Sequence, residues 1–446
     1  MNDKFTRLGF ILSVAGGAVG LGNAWKFPTL VGQNGGFAFV LLYLVLTLSI
    51  GFSIFLAEMA MGRLSGKDPV NSYKNLAPSH LKNWKYAGFT MLGGIFVLSF
   101  YLVIMGWVIR YIFISFSALP QDIETSGKLF GNFITNDLNG NLFFYFLAFF
   151  STLAVVSKGI KSGIEKLNVY VMPTLFILLL AMLIYSFSME GFSKAFVFLF
   201  KPDFSKITFD VVLTALGLAF FTLCVGIGCI TTYAASLEDD TNLVKSSISI
   251  VFINILIGLM MGLIVFTFVF EFNADPSTQG AGLVFVSLMT LFAKIGIIGN
   301  VLAVTFFVSL YFAGITSAVS MIEPFVFYLI NEYKISRLKA LSFCGVLIIF
   351  LSTLCILSMH SSFGAKFTFF DKSFFDILDF VSSNLMLPLG AFLTAIFVGY
   401  IMDKNKIYNL YKKDMSGFWF KIWYNFLRYI APVCVVVIVV KQIFFS

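Results

Sequence analysis

The chain has 446 residues, 59% of them hydrophobic and only 12% charged, with 57 Phe, a mean hydropathy of +0.94 and a net charge of +8. A soluble domain carries about 25% charged residues, so an ordinary cytosolic enzyme, a disordered protein and a nucleic-acid binder are excluded. What remains is a polytopic membrane protein, all-α rather than β-barrel, because apolar runs such as 41–61 and 250–270 are continuous and not alternating.

Apolar runs predict about eleven transmembrane helices, at 8–31, 36–63, 88–117, 141–157, 164–188, 208–234, 245–271, 299–330, 339–359, 375–402 and 422–445. The stretch 282–292 is apolar but too short to cross, and is expected as a re-entrant or surface helix in a long loop. Lys4 and Arg7 before the first run resemble a signal-peptide start, but Trp25, Lys26 and Pro28 stand where a small-residue cleavage site would be, so the segment is expected to be retained. Placing the N-terminus in the cytoplasm puts nineteen of the 30 Lys and Arg on inner segments. That fixes the orientation by the positive-inside rule and, with eleven spans, puts the C-terminus outside. The positive charge then records topology in the cell's inner membrane, not an anionic partner. Neither nucleic acid nor an obligate protein partner is called for. The five Cys lie in or beside apolar runs without metal-ligand spacing, and the two His sit at the ends of such runs, so no catalytic site and no enzyme is expected.

The first span carries Gly at 16, 17, 20 and 22. Each Gly costs about 1 kcal/mol in a helix interior relative to Ala. Small residues alone would equally serve helix–helix packing. The amide of Asn23 in mid-membrane, which needs a partner, favours a break. The sixth span repeats the pattern: Val225 to Gly228 echoes Val19 to Gly22, with Thr222 one turn before. Spans one and six as counterparts imply repeats of five spans. An odd number inverts the second repeat in the membrane. The expectation is one transporter domain over 1–446, with inverted repeats near 5–190 and 205–402 and an extra helix at 418–446. Broken helices expose N–H groups that can hold a carboxylate and carbonyls that can hold a cation.

Other intramembrane polar residues fit. Glu58 in the second span costs several kcal/mol unpaired, and exposed amides of a broken helix would satisfy it. Thr316 and Ser317 follow Ala313 and Gly314 in the eighth span; singly such residues bond back to their own helix, whereas as a pair facing a break they suit a hard cation. Asn254 in the seventh span and Tyr101 deep in the third are further candidates.

These residues resemble a bacterial subgroup, with eleven spans, of the neurotransmitter:sodium symporters, whose fold is that of the leucine transporter. The match rests on Arg7 to Ile11, Ala18 to Pro28 and Gln33 to Gly36; on Phe220 to Leu223 with Gly226 to Gly228; on Gly280 to Val286; and on Ala313 to Ser317. The resemblance implies symport of Na⁺, two ions, with an amino acid as the small-molecule substrate. It assigns Ala18, Asn23, Thr222 and Asn254 to a first sodium site, and Gly16, Val19, Ala313, Thr316 and Ser317 to a second. It gives the substrate carboxylate to Leu21, Gly22 and Tyr101, and the side-chain pocket to Val97, Tyr101, Phe221, Cys224, Ile227, Ser317 and Met321. Gly20 stands where amine carriers place an Asp, which points to an amino acid. Lys26 and Asp379 match the outer gate pair, Phe221 its aromatic lid, and Glu58 a support of the helix break. Gly163 and Pro173 resemble a helix-unwinding pair in the fifth span.

Departures also matter. The inner gate normally joins an N-terminal Arg to an Asp of the eighth span, with a Tyr nearby; here the positions hold Met1 or Asn2, Asn331 and Ser236, so inner closure must use other contacts. Gly258 stands where chloride-independent members carry an acid, which leaves the charge balance of the first site and a chloride requirement open. The alternatives are the same fold with another coupling ion or substrate, a channel, or a membrane-embedded enzyme. A channel would ring a continuous pore with polar groups, whereas here they cluster at two breaks. No catalytic signature is present.

Overall fold

The computed structural model describes residues 4–238, 240–277 and 280–444, and is almost wholly helical. Among these, nine helices are long and apolar enough to cross a membrane: Phe37–Ser65, Ser79–Ile114, Leu138–Val156, Ile160–Ser186, Leu243–Glu271, Ile297–Tyr333, Arg337–Met359, Phe374–Ile401 and Gly417–Lys441. Arg7–Ala18 and Gly22–Gln33 form a tenth apolar unit, bent by 50° at its break. The sixth expected run differs. It is two short helices, Phe209–Leu223 and Cys229–Ala235, neither long enough alone. The cause is backbone: Cys224, Gly226 and Gly228 all adopt positive φ, at 52°, 89° and 76°, which a helix cannot carry.

Several boundaries shift from the hydropathy reading. The third span begins at Ser79, because tight 3₁₀ turns over Ser79–Met91 run straight into Leu92–Ile114. The fifth opens with a π-helical turn, Ile160–Glu165, and contains Pro173, which cannot donate to the preceding turn. Short helices at Ile123–Thr135, Gly191–Phe200 and Lys404–Tyr411, and a hairpin pairing Thr368–Phe369 with Lys372–Ser373, escape an apolar scan. They are too short or too polar to register.

The 280–293 segment is helical as expected, but it is not a surface element. Leu283, Phe285, Leu288 and Phe292 are fully buried. Phe285 stacks on Phe130 and meets the rings of Tyr111, Trp107 and Trp25 at centroid distances of 5.0, 6.0 and 6.5 Å. The abundant Phe is thus divided. Part of it fills such clusters, and part, such as Phe143 and Phe150 on the fourth span, faces outward, where hydrocarbon accepts it. The Arg7–Ala18 helix lies inside, packed against the fifth, seventh and eighth spans.

Candidate functional site

The first break places its carbonyls against the eighth span. The helix ends at Ala18, so the last carbonyls lose their next-turn partners. Ser317 Oγ meets three oxygens of this turn, those of Gly16 at 3.0 Å, Gly17 at 3.1 Å and Val19 at 3.3 Å. Thr316 Oγ1, next in sequence, donates to Phe312 and Ala313 carbonyls, both at 3.0 Å. A β-carbon on Gly16 would come within 3.0 Å of Thr316 Cβ. Gly16, Val19, Ala313, Thr316 and Ser317 therefore share one buried locus, rich in oxygen.

A second polar locus lies on the other side of the break. Asn23 Nδ2 donates to Asn254 Oδ1 at 2.7 Å and to the Asn254 carbonyl at 3.1 Å. Its other atom, Oδ1, is buried and makes no hydrogen bond among the described residues. Thr222 Oγ1 sits 3.0 Å from the Tyr43 hydroxyl, which also receives Asn254 Nδ2 at 3.4 Å. Tyr43 thereby ties Thr222 to Asn254. Sequence reading missed it, although its signal matches that of Tyr101: a lone tyrosine inside an apolar run, fully buried. Ala18 is buried at the end of its helix. A β-carbon added at Gly258 would meet only Asn23 Nδ2, at 3.5 Å, so the locus is open on that side.

Tyr101 closes the break from the third span. Its hydroxyl accepts from the Leu21 amide at 3.0 Å. The two groups that the resemblance gives to a carboxylate are thus paired with each other. Gly20 faces them: a β-carbon there would lie 2.6 Å from Ser317 Oγ and 2.8 Å from the Tyr101 hydroxyl. At Gly22 it would lie 2.7 Å from the Phe221 ring. Leu21, Gly22, Tyr101 and Phe221, with Lys26 and Asp379, line a narrow cleft of about 30 Å³. The other expected pocket residues lie deeper. Val97 is one turn from Tyr101, Ile227 lies close to the Gly93 backbone, and Met321 close to that of Gly94. Cys224 Sγ donates to the Gly17 carbonyl at 2.9 Å. All are buried, and among the nine positions none is charged.

The sixth break is held by Glu58, whose Oε1 accepts the Gly226 amide at 2.6 Å. Only Gly fits at 226: beyond its φ of 89°, a β-carbon would overlap the Leu387 carbonyl of the tenth span. Above the cleft, Lys26 Nζ lies 3.0 Å from Asp379 Oδ1 and 4.2 Å over the Phe221 ring. Ser383 Oγ donates to the same Asp379 oxygen at 2.6 Å, a contact absent from the sequence reading. Beside this pair is a wider vestibule of about 320 Å³, lined by Trp25, Thr29, Thr214, Leu218 and Asn384 among others.

The positions that the resemblance gives to an inner gate make other contacts. Met1 and Asn2 lie outside the described residues. Asn331 Nδ2 donates to Asp68 Oδ2 at 3.2 Å, and the Ser236 carbonyl accepts the Phe5 amide at 2.8 Å. Phe5 forms a β-bridge with Leu237, whose carbonyl accepts from Arg63 at 2.7 Å. Thr6 Oγ1 donates to Glu165 at 2.5 Å, and a fully buried Glu323 pairs with Arg337.

Comparison with known proteins agrees with this architecture. A family model described as the sodium:neurotransmitter symporter family matches residues 3–126 and 131–445. The uncharacterized sodium-dependent transporter YhdH of Bacillus subtilis is 34% identical over 98% of this chain and 97% of its own length. An uncharacterized sodium-dependent transporter of Haemophilus influenzae is 32% identical, with 98% and 97% covered. The crystal structure of MhsT in complex with L-phenylalanine superposes with a TM-score of 0.88 at 36% identity, covering 98% of both chains.

Proposed function

This chain belongs to the sodium:neurotransmitter symporter family, and on that premise we propose that it imports a neutral, apolar amino acid, aliphatic or aromatic, by symport with two Na⁺ and alternating access. Two cation loci flank the first break: Ala18, Asn23, Thr222 and Asn254 form one, and Gly16, Val19, Ala313, Thr316 and Ser317 the other. The observation that carries the reading is the concentration of buried oxygens at that break, above all the unpartnered Asn23 Oδ1. A hard cation takes carbonyl and hydroxyl oxygens, and an acceptor left without a donor is costly unless something binds it. A substrate carboxylate would insert between the Leu21 amide and the Tyr101 hydroxyl, which already mark its two ends. The absence of charge among the nine expected positions supports a neutral side chain, since a charged one there would be buried unpaired; the charges that line the cleft, Lys26 and Asp379, are paired with each other. MhsT, solved with L-phenylalanine, supports an amino-acid substrate. In this reading the two helices of the sixth run cross as one broken span. That gives eleven crossings, inverted repeats at 5–190 and 205–402, an inside N-terminus and an outside C-terminus.

Equilibrium binding of labelled leucine to purified protein, titrated with Na⁺, tests the reading. Thr316→Ala with Ser317→Ala removes two of five ligands at the second locus and is expected to raise the Na⁺ midpoint at least tenfold. An unchanged titration overturns that assignment. Competition by glutamate or lysine as strong as that by leucine overturns the pocket.

A further inference from the structure

Below the first break, toward the cytoplasm, one face of span one carries Thr6, Gly9, Ser13 and Gly16, spaced three and four residues apart. This face lies against the fifth span. Thr6 Oγ1 donates to Glu165 Oε1 at 2.5 Å, and the Thr6 amide to the same oxygen at 3.3 Å. A β-carbon on Gly9 would overlap the Glu165 carboxylate, and one on Gly16 would overlap Asn168 Oδ1. Glu165 and Asn168 therefore reach span one on either side of Ser13. Asn168 Nδ2 donates to the Ile164 carbonyl of its own helix at 2.8 Å, which turns Oδ1 toward span one.

Three atoms of this seam, Ser13 Oγ, Glu165 Oε2 and Asn168 Oδ1, are buried and make no hydrogen bond among the described residues. Ser13 and Asn168 are fully buried and Glu165 is 6% exposed. A carboxylate oxygen and an amide oxygen can only accept. Buried acceptors without a donor are costly, and hard cations bind carboxylate, amide and hydroxyl oxygens together. We infer that Ser13, Glu165 and Asn168 form a third cation site, a waystation for Na⁺ on the cytoplasmic side of the second locus. The inference rests on the Na⁺-coupled reading above. Gly16 belongs to both places: its carbonyl lies 3.0 Å from Ser317 Oγ, and its α-carbon abuts Asn168. From Gly16 to Gly9 the helix rises about 10 Å, so an ion leaving the second locus along span one passes these oxygens. The single carboxylate supplies the countercharge that the second locus lacks among its five assigned residues.

The test counts ions. Full-length purified protein at saturating Na⁺ and leucine is expected to bind one more ²²Na⁺ per chain than Glu165→Gln. That variant keeps the side chain's size and the acceptor for Thr6. Thr6→Val, which removes the hydroxyl and keeps the carboxylate, retains the extra ion. Equal ²²Na⁺ stoichiometry in wild type and Glu165→Gln overturns the site, because water then suffices there. Loss of the extra ion in Thr6→Val overturns it as well, because the effect then belongs to the helix contact. If no protein binds ²²Na⁺ and leucine binding ignores Na⁺, the symport reading itself fails, a separate outcome. Anomalous diffraction from Tl⁺-soaked wild-type crystals needs no variant. It should show a peak among the three oxygens, and peaks at the two other loci without one here overturn the waystation.

Discussion

In the proposed symport cycle, the two ends of the path are held by different contacts. At the outer end Lys26 and Asp379, with side chains 27% and 34% exposed, meet in reach of water and salt. Such a pair contributes about 0–1 kcal/mol, and the Lys26 contact with the Phe221 ring about 0.5–1 kcal/mol more. At the inner end Glu323 is fully buried, and Arg337 both pairs with it and donates Nε to the Val156 carbonyl at 2.6 Å. Phe5 is equally buried, bonded through its backbone to Ser236 and packed on Tyr233 at 5.1 Å. One rotamer change releases the outer latch. The inner one releases only when a chain segment leaves its groove. In the proposed symport cycle, opening at the Lys26–Asp379 end would then cost little, and opening at the Phe5 end would be driven by a differential affinity of bound ions and substrate for that open form.

The largest expected effect breaks the inner side. Arg337→Ala removes the guanidinium that pairs with the fully buried Glu323, and loss of one partner of a buried pair costs about 3 kcal/mol. The thermal midpoint of purified protein should fall by several degrees. Glu323→Gln with Arg337→Met removes both charges and should recover most of the loss. A double variant as unstable as the single one would show that the ion pair is not what stabilises the junction of spans eight, nine and four. Phe5→Ala comes next, at about 3 kcal/mol if the ring is as well packed as its burial indicates. Because Phe5 lies just before span one and bridges it to Leu237, the loss should appear, in the proposed cycle, as opening at this end. A cysteine placed at Ser13 should label faster from the cytoplasmic side in this variant than in the parent. Equal labelling would place the closure elsewhere. On the outer side Asp379→Asn should cost no more than about 1 kcal/mol. Leucine should then dissociate up to about fivefold faster to the outside, and the difference from wild type should shrink as ionic strength rises.

The same contrast explains what could be read from the sequence. The breaks were legible because glycine clusters and isolated intramembrane amides and acids are rare, and each demands a physical reason. Glu58 was legible for that reason, and its amide partner at Gly226 follows. The outer pair was legible only through the resemblance, which matches Lys26 and Asp379 to a gate pair. Inner closure was not. The Phe5–Ser236 bond is backbone to backbone across 231 positions, and no side-chain pattern announces it. Glu165 and Asn168 carried no signal of their own in the sequence; the glycines of span one show what they fit against. Tyr43 was missed and the 282–292 stretch was expected as a re-entrant or surface helix, because only the packed structure shows that both are buried.

The smallest effect sharpens the outer side. Lys26 presents one ammonium, which Asp379 Oδ1 takes at 3.0 Å while Ser383 Oγ lies 3.5 Å away. Lys26→Arg supplies a planar fork that can engage Asp379 through two parallel bonds and lie flat over Phe221. The site stays partly exposed, so the gain is limited to about 0.4 kcal/mol, roughly a factor of two in rate. Leucine release to the outside should slow by that factor, while release to the inside, governed by Phe5 and Arg337, keeps its rate. A twofold slowing on both sides would mean that the outer pair and the inner network are coupled. No slowing on either side would mean that Phe221, not the ion pair, sets the outer barrier.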